Sequence, residues 1–122
     1  MIVELVCVGT ELLLGNIVNT NAAYLAEKCA ELGLSMYYQS VVGDNEERMT
    51  HVIRQAVDRS DVVILCGGLG PTQDDMTKEV AAQVMGRKLV EDEHTKQCIQ
   101  EYMDNYLKSH PGLKLTLWLT DP

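Results

Sequence analysis

The sequence predicts an α/β domain, a doubly wound and mostly parallel sheet in three layers with helices on both faces. Three observations lead there. Short β-branched runs alternate with segments of helical period, in the order β-α-β-α-β-α-(β)-α. One run, Val62 to Cys66, is apolar throughout between Asp61 and Gly67, the pattern of a parallel strand buried on both faces. The two most glycine-marked loops, Gly9-Thr10-Glu11 and Gly67-Gly68-Leu69-Gly70-Pro71-Thr72, directly follow the first and third strands. In a 2-1-3 strand order, right-handed crossovers bring those loops to the carboxyl end of the sheet, at the switch point where open sheets bind ligands.

Ile2 to Val8 is β-branched and apolar apart from Glu4, and it stops at Gly9, which predicts a buried first strand. From about Thr20 to Leu32, apolar residues recur at Ala22, Leu25, Cys29 and Leu32, with Asn19, Thr20 and Asn21 as available caps and Gly33 as the stop. Met36 to Val42 reads as a second strand. Asp44 with Glu47 three residues on is a capping-box-like start for a helix whose inner face is Met49, Val52, Ile53, Ala56 and Val57. After the third strand, a helix beginning near Thr72 to Asp75 is expected to bury Met76, Val80, Ala81 and Val84 and to stop at Gly86. Arg87 to Val90 reads as a short edge strand, and Asp92 caps a last helix with the stripe Ile99, Tyr102, Met103 and Tyr106. Lys114 to Leu119, which includes the lone Trp118, alternates apolar and polar residues, the pattern of a further edge strand.

The 122 residues suit one hydrophobic core, and 46% apolar with 23% charged residues is a globular mixture. With 10 basic against 18 acidic residues the net charge is −8, and Arg87-Lys88 is the only adjacent basic pair, which argues against a nucleic-acid backbone as partner. No apolar stretch approaches the ~18 residues of a membrane span, and Met1-Ile2-Val3-Glu4 lacks a basic leader region, so a cytoplasmic protein without membrane partners is expected. Cysteines 7, 29, 66 and 98 form no Cys-x-x-Cys pair and read as mostly buried thiols in a reducing compartment. His51, His94 and His110 show no paired spacing and read as solvated.

Three glycines in four positions between a strand and a helix let the backbone turn tightly and bring its amides to an anion with no Cβ in the way. Tight strand-to-helix geometry alone also explains such a loop. Neither common nucleotide fingerprint is present: no Gly-Lys-Ser/Thr follows, and Gln73 stands where a dinucleotide loop carries its third glycine. Asp74 and Asp75 follow the loop, with Glu79 four residues after Asp75 on the same face of the expected helix. They serve either as dipole-favoured residues of a helix start, with Thr72 and Asp75 forming a cap, or as hard oxygen ligands for Mg²⁺ or a similar divalent metal. Glu11 either faces the pocket or starts a turn, and Asn19 and Asn21 are caps first and ligand contacts second.

Gly67-Gly68-Leu69-Gly70-Pro71-Thr72-Gln73-Asp74-Asp75-Met76-Thr77-Lys78-Glu79 resembles the signature loop of the MoaB/Mog-like molybdopterin-binding domain. Val8 to Gly15, Asn19-Thr20-Asn21 and Val42-Gly43-Asp44-Asn45, in that order before the loop, narrow the resemblance to the N-terminal domain of the competence/damage-inducible CinA proteins. The resemblance implies a MoaB/Mog-like fold and one of two activities: metal-dependent pyrophosphate hydrolysis of ADP-ribose, or molybdopterin binding without hydrolysis. It assigns catalytic aspartates to Asp75 and Asp44. It assigns phosphate or nucleotide contacts to Gly9, Thr10, Glu11, Asn21, Gly67, Gly68, Leu69, Gly70 and Thr72, a divalent metal to Asp75 with Glu79, and a homo-oligomeric state. The similarity ends soon after Tyr106, so residues 1–108 are expected to be the domain and 109–122 an atypical or shortened C-terminal segment.

Overall fold

The structure, a computed structural model, describes residues 1–70 and 72–110. They form β1 (Ile2–Val8), α1 (Thr10–Leu13), α2 (Thr20–Glu31), β2 (Ser35–Val42), α3 (Glu46–Arg59), β3 (Val62–Cys66), α4 (Thr77–Val84) and α5 (Glu93–Ser109). The chain divides into two compact units, Met1–Arg87 and Lys88–Pro122.

In the first unit the sheet is parallel, in the order β2-β1-β3. β1, with two hydrogen-bonded neighbours, is the strand buried along nearly its whole length. Its alternate residues feed two cores. Val6 and Val8 pack with Val42 and with Met49, Ile53 and Ala56 of α3 and Val80 of α4. Leu5 and Cys7 pack on the opposite side with Ala22 of α2, joined by Leu12, Leu25, Met36, Ile64 and Cys66. These are the three expected layers: α2, the sheet, then α3 and α4.

The 2-1-3 order sets the carboxyl ends of β1 and β3 side by side, with Cys7 opposite Cys66. At the other end of the sheet, Glu4 is wholly buried and accepts two hydrogen bonds from the Arg59 guanidinium, at 2.9 and 2.8 Å, and one from Ser60 Oγ at 2.9 Å. Arg59 also lies over the Tyr38 ring, 3.7 Å from its centroid. The one charge in β1 is thus tied to the end of α3 and to β2.

Several expectations need correction. β3 is half-buried rather than buried on both faces, because among the described residues it borders β1 alone. Arg87 to Val90 forms no strand. α3 is capped by Asn45, whose side chain accepts from the Arg48 amide, and not by Asp44, which is held elsewhere. α4 starts at Thr77, later than expected, because residues 72–75 close a turn of their own. Leu32 is 74% exposed and lies beyond the buried face of α2. Cys98 is exposed, unlike Cys7 and Cys29. In the second unit, Asp92 caps α5 by accepting from the Thr95 amide, but no residue of the helix is buried, the apolar stripe included. Lys114 to Leu119 and Trp118 lie outside the described residues.

Candidate functional site at the carboxyl edge of the sheet

The loop after β3 is built around two residues that only glycine fits. Gly67 and Gly68 have φ of 97° and 66°. A Cβ at Gly67 would overlap the Val8 carbonyl oxygen, and one at Gly68 would overlap Thr77 Oγ1. The second glycine thereby lets Thr77 reach back. Thr77, 1% exposed, donates from Oγ1 to the Gly67 carbonyl at 2.8 Å and from its amide to the Gly68 carbonyl at 3.2 Å. With both carbonyls fixed from the α4 side, the Gly68 and Leu69 N–H groups make no hydrogen bond among the described residues. Two adjacent amides without partners in a positive-φ glycine turn are donors of the kind that can receive an anion.

The following turn is held by Asp75. Its Oδ2 accepts from Thr72 Oγ1 at 2.6 Å and from the Thr72 amide at 3.2 Å, while its own amide donates to the Thr72 carbonyl at 3.1 Å. The Thr72 hydroxyl lowers the Asp75 pKa most, desolvation opposes it, and the Thr72 and Gly70 amides and Lys78 add to the lowering. Asp75 is therefore ionised and oriented. It precedes α4, so the argument that it shares a helix face with Glu79 fails, and it closes its own turn rather than capping the helix. Glu79, in the first turn of α4, pairs with Lys78 at 2.9 Å. Its partial burial pushes its carboxyl up, but the Lys78 ammonium and backbone outweigh this and leave it below its ordinary range.

Across the edge, the loop after β1 runs straight into α1, a short helix that the spacing did not reveal. Thr10 Oγ1 sits 3.2 Å from both the Asp44 amide, from which it accepts, and Asp44 Oδ2, to which it donates. The loops after β1 and β2 are thereby linked. Glu11 folds over Gly9 and lines a cavity of about 150 Å³, together with Cys7, Val8, Ile17, Asn19, Asn21, Cys66 and Gly67. Asn19 caps α2 by accepting from the Ala22 amide at 3.2 Å, and Asn21 donates to Cys66 Sγ at 3.5 Å. Of the expected site residues, Glu11, Asn21 and Gly67 line this cavity, with Gly9 behind Glu11. Asp44 joins Thr10, and Asp75 joins Thr72. No hydrogen bond or ion pair links Asp44 or Glu79 to Asp75 among the described residues.

The sequence reading missed the bracing role of Thr77 and the cavity positions of Cys7, Cys66, Ile17 and Val18. A signal for the cysteines existed, since each ends its strand immediately before the site. Among the described residues no three His, Cys, Asp or Glu side chains converge into a ready metal centre. The donors at hand are the single carboxylates of Asp75 and Glu79, hard oxygen ligands of the kind Mg²⁺ takes alongside substrate phosphates.

This fold and these loops match known proteins. Residues 4–116 match the family described as "Probable molybdopterin binding domain". The chain belongs to this family. Within the family its relatives are competence-damage inducible proteins. One from Streptococcus pyogenes is 56% identical over 109 residues, 89% of this chain and 25% of that protein. Another, from Clostridium beijerinckii, is 54% identical over 99 residues, 81% of this chain and 24% of that protein. The chain thus spans about a quarter of the length of the curated relatives it matches. Among solved structures, CinA from Thermoplasma acidophilum superposes with a TM-score of 0.71 at 34% identity, covering 93% of this chain and 65% of that one. MoaB from Thermus thermophilus, with a TM-score of 0.66 at 22% identity over 72% of this chain and 57% of that one, shares the fold.

Proposed function

We propose that this domain binds a small phosphorylated ligand at the carboxyl edge of its sheet and hydrolyses the pyrophosphate of a nucleoside diphosphate sugar such as ADP-ribose. The observation that carries the reading is the Gly67-Gly68 turn, which leaves the Gly68 and Leu69 amides without a partner among the described residues, while Gly67 itself lines the cavity between the loops of β1 and β3. Those amides and the Gly9-Thr10-Glu11 loop bind and orient the phosphates. Asp75, kept ionised by Thr72, and Glu79 would hold a divalent cation of the Mg²⁺ class, which when bound neutralises charge on the pyrophosphate. Asp44, fixed by Thr10, is assigned to orient the water. In the reaction, water oxygen bonds to one phosphorus, the bridging P–O bond breaks, and AMP and ribose 5-phosphate leave. Thr72 and Gly70 maintain the loop rather than touch substrate in this scheme.

A second reading, a molybdopterin-binding module without hydrolysis, is favoured by the family match over residues 4–116. Both ligands carry a phosphate beside a ring system, and the glycine turn suits both. AMP release from ADP-ribose with Mg²⁺, against a chelated control, separates them. Metal-dependent AMP formation that is lost in Asp75→Asn supports hydrolysis. Binding of the pterin with no AMP formation under any divalent metal supports the binding module. The expected homo-oligomeric state and cytoplasmic location belong to the same proposal; among the described residues no helix is long and apolar enough to cross a membrane.

A further inference from the structure

Two thiols line the same cavity. Cys7 and Cys66 are directly opposed in the parallel β1–β3 ladder, belong to the same apolar cluster on the α2 side of the sheet, and both line the cavity. Neither is engaged in a disulfide. Cys7 is almost fully buried and approaches Asn19 Oδ1 at 3.9 Å, while Cys66 is half-exposed and receives a hydrogen bond from Asn21 Nδ2. The scheme proposed for phosphate chemistry uses neither sulfur.

We propose that Cys7 and Cys66 form a two-coordinate site for a soft monovalent cation, with Cu(I) the biological member of the class. Thiolate pairs select soft ions, and the ligand number narrows the choice. Zinc and iron–sulfur centres want about four protein ligands. No third His, Cys, Asp or Glu joins the pair among the described residues. A linear ion needs only two. The register agrees as well: Cys7 and Cys66 are partners across neighbouring parallel strands, about 4.8 Å apart, so the two side chains leave the same face of the sheet side by side. On binding, two thiols and one Cu(I) give a bis-thiolate complex of net charge −1 and release two protons. The Asn21 amide, already aimed at Cys66 Sγ, then donates to a negatively charged sulfur and orients it, as outer-shell partners of metal ligands do.

The test is anaerobic titration of the full chain with Cu(I) in competition with a chromogenic chelator, with the released protons and the ultraviolet thiolate-to-metal band as further readouts. Wild type and Cys29→Ser should hold one equivalent and release two protons. Loss of an outer-shell group alone costs 10–100-fold in metal affinity, so Cys66→Ser should weaken binding by about 100-fold or more. Cys66→Ser is the decisive variant, because its half-exposed side chain is replaced without opening the core; Cys7→Ser is the supporting one. His94 and Cys98 lie 3.7 Å apart on α5 and offer a competing soft pair, so Cys98→Ser is the control and should bind as wild type does. Retention of tight binding by Cys66→Ser, its loss in Cys98→Ser, or a mass loss of two hydrogens with no metal uptake would each overturn the proposal.

Discussion

Gly67 shows how single residues set this site. Its φ of 97° lies where a side chain is strained, and the Val8 carbonyl fills the space a Cβ would take. Gly67→Ala should therefore destabilise the domain by about 2 kcal/mol or more, a fall in Tm on the order of 10 °C, measured by thermal denaturation. Asp75 sets the neighbouring turn, and its folded pKa is lowered chiefly by the Thr72 hydroxyl. A group of this kind contributes fully above its unfolded pKa of about 3.9, and the contribution disappears as pH falls through the lower folded value. Wild type should thus lose its Thr72–Asp75 turn on acidification below about pH 4. Asp75→Asn, whose side chain does not titrate there, should show a flatter dependence in a stability titration over that range. The sequence pointed to Asp75 but gave it the wrong setting. Thr72 and Asp75 are spaced to bond to each other, and that local turn outcompetes helix, so α4 begins two residues later.

Elements were legible where periodicity ran long. β1, α2, α3 and β3 lie close to where the apolar spacing puts them, and the 2-1-3 order, which the spacing left as a condition, is the order observed. Shorter features were not legible. α1 has four residues, one turn, too few to display a period, and Arg87 to Val90 has the composition of a strand but pairs with none among the described residues. Thr77 was invisible for another reason. Its function is to satisfy two carbonyls ten and nine residues back, a pairing that exists only once the glycine turn has folded. Thr77→Val keeps the shape and leaves the Gly67 carbonyl without its side-chain donor, which should cost about 1–3 kcal/mol. Thermal denaturation measures that loss, and ligand affinity should fall with it because the open amides are positioned from Thr77. Unchanged affinity in a destabilised Thr77→Val would separate the brace from the binding surface.

At the scale of the whole molecule, the two ends of the sheet differ: the carboxyl end carries the cavity and the glycine turn, and the amino end is an anchorage. The amino end is fixed by the buried Glu4 with Arg59 and Ser60, and hydrogen bonding to Arg59 is the main reason the Glu4 carboxyl is held below its ordinary range. No spacing in the sequence announces this pair, because its members lie 55 residues apart and meet only through the α3 crossover. Arg59→Met should strand a charged carboxylate in the core, whereas Glu4→Leu with Arg59→Met removes both charges. The single variant should be the less stable of the two at neutral pH. The difference should shrink on acidification, as the stranded Glu4 takes up a proton. At the carboxyl end, the central claim is that an anionic ligand seats on the open amides of the glycine turn. At 122 residues the chain suits amide-resolved NMR, and titration with ADP-ribose in the presence of Mg²⁺ tests the claim most directly. The prediction is saturable shifts largest at the Gly67, Gly68 and Leu69 amides and extending to Glu11 and Asn21; shifts confined to the exposed face of α3, or none at saturating ligand, would contradict it.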